Sequence, residues 1–302
     1  MKLSFRQLRL FLALADTGSV SAAARATHVT QPTASMQLRE AAEAVGLPLY
    51  EVIGRKVHLT EAGRELAVTA RAIVDGWEDF EQRIGALQGL TRGRLRVAVV
   101  STAKYFVPRL LGSFCARYPE IDISLEVLNR DGVVQRLRDN LDDLYVMSQP
   151  PTDMELADQV FLANPLVLIA PRDHALAGAA QLPLAALAGE RFLLREAGSG
   201  TRLATDRFLA AAGFAPVRQL ELGSNEAIKE AVAAHLGVAV VSWHAVRAEG
   251  ALRDLCVLPV EHMPIASQWH LVHPRAKRLS PIARVFADHL LAQASAWDAG
   301  PG

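Results

Sequence analysis

Three patterns predict an α/β chain. Apolar residues recur at helical spacing in the first sixty positions, a heptad seam follows, and strand-like and helical segments alternate from residue 94 onward. They divide the chain into a helical N-terminal domain over 1–60, a linker and dimerisation helix over 61–91, and an α/β domain over 92–302. A chain of 302 residues has ample surface to bury in two or three cores.

The first helix is predicted from Phe5, Leu8, Phe11, Leu12 and Ala15. An alanine-rich run at 21–26 forms a second helix, with Ser19 or Ser21 as N-cap, and its small side chains let a neighbouring helix approach closely. His28, Val29 and Thr30 break it. Thr30 then caps a third helix with Pro32 near its first position, where the missing N–H matters least. On that helix Gln31, Ser35 and Arg39 share one face, while Val29, Ala34 and Leu38 lie on another. The pattern of residues 20–39 is a helix-turn-helix, although alone it also fits an ordinary αα-hairpin. Two short extended runs, 49–52 and 56–59 around Gly54-Arg55, add a wing and favour the winged form. A glutamine, an arginine and short polar side chains on an exposed helix suit contact with base edges and phosphates. The candidate DNA-binding residues are therefore Gln31, Pro32, Thr33, Ser35 and Arg39, with Arg55 and Lys56 at the wing tip.

From residue 61 a helical pattern runs to about residue 90, with apolar Leu66, Ala70, Ile73, Trp77, Phe80, Ile84 and Leu87 spaced alternately by four and three. Such a seam predicts pairing with a second copy of the helix, so Leu66, Ile73, Trp77, Phe80, Ile84 and Leu87 are the candidate dimerisation residues. The competing reading, packing on the chain's own wing, suits the first turns. Residues 91–93 form the expected hinge.

Beyond it, strands are predicted at 95–100, 121–128, 144–147, 165–170, 191–194, 219–222, 238–242 and 269–273, in mostly parallel sheets. Helices are predicted at about 104–117, 133–140 and 281–294. Ligands in such sheets sit at the carboxyl ends of strands. Ser101 and Thr102 follow the first of these strands and Lys104 adds charge; Asn129 and Arg130 follow the second. Ser199, Thr201 and Arg202 stand in a glycine-flexed turn, and Asn225 opens another helix. Taken singly each reads as a helix cap. Their convergence on one cleft reads as a site for a small anionic metabolite.

The N-terminal segments FRQLRLFLALADTGSVSAAARATHVTQPTASMQLREA, VGLPLYE and GRKVHLTEAG resemble the N-terminus of LysR-type transcriptional regulators, most specifically in TQP-x-x-S-x-Q and LTEAG. The chain departs from that pattern at Ala41-Ala42, where Leu-Glu is usual, and at Val52, where an arginine is usual. The segments STAKYFVPRLL, LEVLNRD, NPLVLIAP, FLLREAGSGTR, LGSNEAIKEAV and KRLSP are similar to the subgroup that activates carbon-dioxide-fixation (Calvin-cycle, RuBisCO) operons, CbbR. The resemblance implies a two-lobed effector domain like type 2 periplasmic binding proteins, with lobe I about 92–162 plus 268–302 and lobe II about 163–267. It further implies a dimer or tetramer bound to double-stranded promoter DNA and working with RNA polymerase. The implied effector is a sugar phosphate, a phosphorylated acid or NADPH, which suits Lys104, Arg130, Arg195 and Arg202. Tyr145 to Pro151 departs from the subgroup, with Ser148-Gln149 where it more often has Gly-Arg. A LysR-type regulator of another metabolic operon, with another effector, is the alternative.

Composition agrees with a regulator. Formal net charge is zero, yet residues 1–60 carry seven basic side chains (Lys2, Arg6, Arg9, Arg25, Arg39, Arg55, Lys56) against four acidic ones (Asp16, Glu40, Glu43, Glu51). So modest an excess implies few phosphate contacts and reliance on dimerisation for affinity. Cys115 and Cys256 stand among apolar residues and read as buried thiols of a cytoplasmic protein. No apolar run reaches the roughly 20 residues of a membrane span, and Arg6 and Arg9 interrupt any signal-peptide pattern. No metal site or cofactor and no enzymatic activity is expected. Ser199 lacks a G-x-S-x-G elbow, and neither H-E-x-x-H, paired C-x-x-C nor a Walker lysine occurs. A secreted solute receptor would have no use for residues 1–90.

Overall fold

A computed structural model describes residues 2–53, 56–87, 93–247 and 253–294, without the side chains of 79, 82–83 and 85–87. Arg55, the Leu87 side chain, hinge residues 91–92 and the terminal 299–302 lie outside the described residues. The chain divides into two compact units, Met1–Leu90 and Thr91–Gly302.

In the first unit, helix α1 (Phe5–Thr17) opens on a capping box: Ser4 Oγ accepts from Gln7 N, and Gln7 Oε1 accepts from Ser4 N. Ser19 caps α2 (Val20–Ala26) and Thr30 caps α3 (Gln31–Val45). The alanines serve as expected. Ala23 and Ala24 of α2 and Ala34, Leu38 and Ala41 of α3 are buried together with Leu10, Phe11 and Leu14 of α1. Strands β1 (Tyr50–Ile53) and β2 (Lys56–Leu59) pair antiparallel as the wing. Thr60 N then donates to Leu49 O, and α4 (Glu61–Leu87) starts so close to that carbonyl that a Cβ on Gly63 would lie 1.9 Å from the oxygen.

Helix α1 carries a second apolar stripe. Leu8 and Leu12 meet Ala70 and Val74 of α4, the Phe5 and Trp77 rings lie 6.0 Å apart, and Arg71 pairs with Asp16 at 2.5 Å. The partner of α4 within its own chain is thus chiefly α1 rather than the wing, and the contact extends as far as Trp77.

The second unit holds two five-stranded sheets. One contains β3 (Gly93–Val100), β4 (Ile121–Leu128), β5 (Leu144–Met147) and β6 (Leu156–Ala163), with α5 (Val107–Arg117) and α6 (Arg130–Arg138) in the connections. The chain then builds the other from β7 (Leu166–Pro171), β8 (Arg191–Arg195), α7 (Gly200–Ala211), β9 (Arg218–Leu222), α8 (Asn225–Ala233), β10 (Val238–Ser242), α9 (Trp243–Val246) and β11 (Leu255–Leu258). Finally β12 (Gln268–Pro274) and α10 (Pro281–Ala294) return to the first sheet. The orders are β4-β3-β5-β12-β6 and β11-β7-β10-β8-β9.

The core explains the continuous apolar runs. Leu166, Leu168 and Ala170 of β7 face one cluster and Val167 and Ile169 the opposite one, so a strand covered on both sides shows no alternation. In the first lobe Trp269, Phe106, Phe114 and Phe286 are fully buried together.

Four expectations are corrected. The sheets are mixed, because β5, β12 and β6 run antiparallel in turn, as do β11, β7 and β10. Strands that cross from one lobe to the other need no crossover helix and arrive reversed. The edge strands β6 and β11 were not anticipated, β6 because its outer positions are polar and β11 because it is four residues long. The helix expected at 104–117 starts later, after a 3-10 turn over Ser101–Tyr105, since Pro108 supplies no N–H to continue a helix from before it. Cys115 is exposed, because Phe114 takes the core-facing position of α5; Cys256 is half-buried and donates its S–H to Pro171 O.

Gly63→Ala is expected to destabilise the first unit by about 1–3 kcal/mol, since backbone must move. Gly76→Ala, with open space at its Cβ, should be neutral or stabilising by up to about 1 kcal/mol. Urea unfolding of the two variants compares them directly.

Candidate DNA-binding head and interlobe cleft

On α3, Gln31, Pro32 and Arg39 are exposed, and Thr33 and Ser35 are half-buried. The Thr33 hydroxyl shares a 2.8 Å hydrogen bond with Thr30, so it is engaged in the cap. Lys56 is exposed at the start of β2, and Val52 is exposed beside the wing turn. Along α4, Leu66 packs into its own head's core, whereas Ile73, Trp77, Phe80 and Ile84 are exposed, Trp77 by 50 %. These apolar side chains are left open in a row along one helix.

In the second unit the residues singled out for a ligand fall into two groups. The first centres on Arg195, which is 3 % exposed at the end of β8. Its guanidinium donates to Glu196 twice, Nε to Oε2 at 2.8 Å and Nη2 to Oε1 at 2.9 Å, which neutralises the buried charge. Nη1 donates to Asn225 Oδ1 at 2.7 Å and Nη2 to Ser101 Oγ at 3.2 Å. Asn225 in turn donates from Nδ2 to Thr102 Oγ1 at 3.1 Å. Ser101 and Thr102 belong to the first lobe, Arg195 and Asn225 to the second, so the network crosses the cleft.

Lys104 does not stand free. Its Nζ is 2.7 Å from Glu226 Oε2, and the Tyr105 hydroxyl donates to Glu226 Oε1 at 2.6 Å. Partial burial pushes the Glu226 carboxyl up, but the hydrogen bonds from Lys104 and Tyr105 outweigh it and hold the group at about 2. Tyr105 is raised well above the usual phenol range, by burial first and by the Glu226 hydrogen bond next.

The second group lines a cavity of about 280 Å³: Arg130, Asp131, Gly198, Ser199, Arg202 and Leu203, with Ala197 and Asp206. Arg130 Nε donates to Gln149 O at 2.7 Å, and Arg202 pairs with Asp206 and Glu221 while donating to Arg195 O. Gly198, at φ +86°, lets its turn pass Asp131, whose carboxylate lies 2.6 Å from where a Cβ would stand. Asn129 caps α6 through Gly132 N at 3.0 Å, and Thr201 is buried in the first turn of α7.

Sequence reading noted Arg195 only for its charge and missed Tyr105 and Glu226. A charged residue closing the apolar run of β8 was the available signal for the arginine. The Glu226 pairing joins residues 122 apart and leaves no local pattern.

Two family models match: the bacterial regulatory helix-turn-helix of the LysR family over residues 5–64, and the LysR substrate binding domain over 88–295. The chain belongs to the LysR family. It is a DNA-binding, effector-responsive transcriptional regulator rather than an enzyme. Among relatives of this LysR protein, the RuBisCO operon transcriptional regulator of Allochromatium vinosum is 44% identical over 98% of this chain and 98% of its own. The HTH-type transcriptional activator CmpR of Synechocystis is 42% identical over 96% and 95%. A solved structure of the Synechocystis CcmR regulatory domain in complex with 2-PG is 47% identical, with a TM-score of 0.66, and covers 69% of this chain and 100% of that chain.

Because the Glu226 carboxyl sits at about 2 against an ordinary 4.5, the stability it contributes is fully present above pH 4.5 and is lost as pH falls towards 2. Melting temperature should therefore fall across that window in the wild type, and fall less steeply in Glu226→Gln.

Proposed function

We propose that this LysR regulator activates a carbon-dioxide-fixation operon in response to a small phosphorylated acid bound between its lobes. The observation that carries the effector reading is Arg195. A buried guanidinium whose partners include hydroxyl residues of the opposite lobe can exchange those partners for a phosphate or carboxylate with little rearrangement. Ser101, Thr102 and Asn225 supply neutral hydrogen-bonding groups around it, Ser199 and Thr201 supply more where α7 begins, and Arg130, Arg202 and Lys104 supply charge. The 280 Å³ cavity is lined by Arg130 and Arg202 rather than by Arg195, to which it is joined where Arg202 donates to Arg195 O. Its volume suits a two- or three-carbon acid better than a sugar bisphosphate or NADPH. The operon assignment rests on the relatives named for RuBisCO operons.

Within this proposal residues 1–60 read DNA, 61–91 pair two protomers, and 92–302 bind the effector in lobes of about 92–162 plus 268–302 and 163–267. Gln31, Pro32, Thr33, Ser35 and Arg39 enter the major groove, with Arg55 and Lys56 on phosphates. Leu66, Ile73, Trp77, Phe80, Ile84 and Leu87 form the seam, with Leu66 serving mainly its own head. The protein works in the cytoplasm as a dimer or tetramer alongside RNA polymerase. A second reading, another operon and another effector, is favoured by one observation: the Gln149 carbonyl and amide oxygens occupy Arg130 and Arg207, where the subgroup more often has an arginine nearby.

A melting series with 2-phosphoglycolate tests the effector. At about 100 times its dissociation constant the ligand adds ~2.7 kcal/mol to stability, and Arg195→Gln should lose most of that gain. No response to any two- or three-carbon phosphorylated acid rejects the reading. Arg39→Ala should weaken operator binding by about 1–3 kcal/mol while leaving the effector response intact, as read by fluorescence anisotropy.

A further inference from the structure

The head contains a second concavity that the reading face does not account for. Its volume is about 390 Å³, and its walls are Arg6, Arg9 and Leu10 of α1, Ala26 to Val29 in the turn, and Gln37 of α3. Arg6 and Arg9 stand three apart on α1 and therefore on one face, and both are exposed. Neither makes an ion pair or hydrogen bond among the described residues, whereas Arg71 and Arg64 of the same unit are both engaged. The walls hold two guanidiniums, the His28 imidazole and the Gln37 amide, and no carboxylate. Glu40, the acidic residue nearest in sequence on α3, receives a hydrogen bond from Gln7 instead.

Two guanidiniums in one concavity repel each other, and the apolar Leu10, Ala26 and Val29 give them no compensation. An anion seated between them would relieve that repulsion. Gln37 ties the pocket to α3, between Ser35 and Arg39 in sequence but on the flank that faces α1. A helix lying in the major groove has a phosphate strand along each flank. We infer that this pocket seats a backbone phosphodiester beside the half-site, with Arg6 and Arg9 on its oxygens and Gln37 and His28 donating from the sides. The inference rests on the head binding DNA and adds two arginines of α1 to the contacts of the helix-turn-helix and wing. It also answers the charge question: with Arg6 and Arg9 drawn to one strand, two of the seven basic residues in 1–60 act at a single locus.

Phosphate contacts set position without reading sequence, so they have a distinct signature. The full-length protein is titrated by anisotropy against an operator fragment and a scrambled fragment over a salt series. Arg6→Gln and Arg9→Gln should each flatten the slope of log Kobs against log[salt] by about 0.9 for every head bound, and the double variant by about 1.8 for every head. The ratio of operator to scrambled affinity should stay unchanged, and Arg9→Lys should keep the slope. An unchanged slope in the double variant, with wild-type binding intact, overturns the inference and leaves DNA binding by the head untouched. A changed operator preference with an unchanged slope assigns the arginines to bases and likewise overturns it. So does an unchanged slope combined with loss of a wild-type melting rise in inorganic phosphate, which assigns the pocket to a free anion. Failure of the wild type to bind either fragment overturns both this and the assignment of the head.

Discussion

A guanidinium buried to 3 % exposure has to be neutralised and hydrogen-bonded, and Arg195 meets the second demand in part by reaching across the cleft. Glu196 cancels its charge from within the same lobe. Asn225 holds it in plane and passes a hydrogen bond on to Thr102. The second N–H of Nη2 goes to Ser101, on the other lobe. The distance between lobes is therefore written into the hydrogen-bond geometry of one side chain. The Lys104–Glu226–Tyr105 cluster adds a second fastening that is more solvent-exposed and so worth less. An incoming anion that competes for Arg195 alters the first of these directly.

The head solves a different problem, how to build a compact unit around two uses of α1. One stripe of α1 packs on α2 and α3, where alanines bring the helices close. The other stripe packs on α4, so the long helix is fixed to the reading helices through α1. Gly63 is the pivot of that arrangement, because only a residue without Cβ lets α4 begin against the Leu49 carbonyl. Past Trp77 the helix has no more of its own head to cover, and Phe80 and Ile84 remain open.

Much of this could be read from residue order because it depends on local rules. Caps at Ser19 and Thr30, the seam from Leu66 to Ile84 and the buried strands β5, β7 and β10 each follow from neighbours a few positions apart. Periodicity could not say whether the seam faces a partner or α1; at Leu66 and Ala70 the chain's own head takes the positions. The mixed sheets escaped because strand direction is set by where β6 and β12 cross between lobes, not by their composition. In the cleft, sequence pointed to hydroxyls and charges after strand ends. The capping of α6 by Asn129 was the plain reading of that residue alone, but sequence did not show that Arg195 would be the hub or that Lys104 would be tied to Glu226. Those facts depend on residues about a hundred positions apart, and no spacing encodes them.

The claim that a ligand at Arg195 changes how the paired heads lie on DNA predicts a coupling of typically ~1–3 kcal/mol between the two sites. Footprinting and gel measurement of DNA bend on the operator, with and without saturating 2-phosphoglycolate, test it most directly. The prediction is an altered bend and protected length in the wild type and no change in Arg195→Gln. An identical bend and footprint in the wild type with and without a ligand shown to be bound would contradict it.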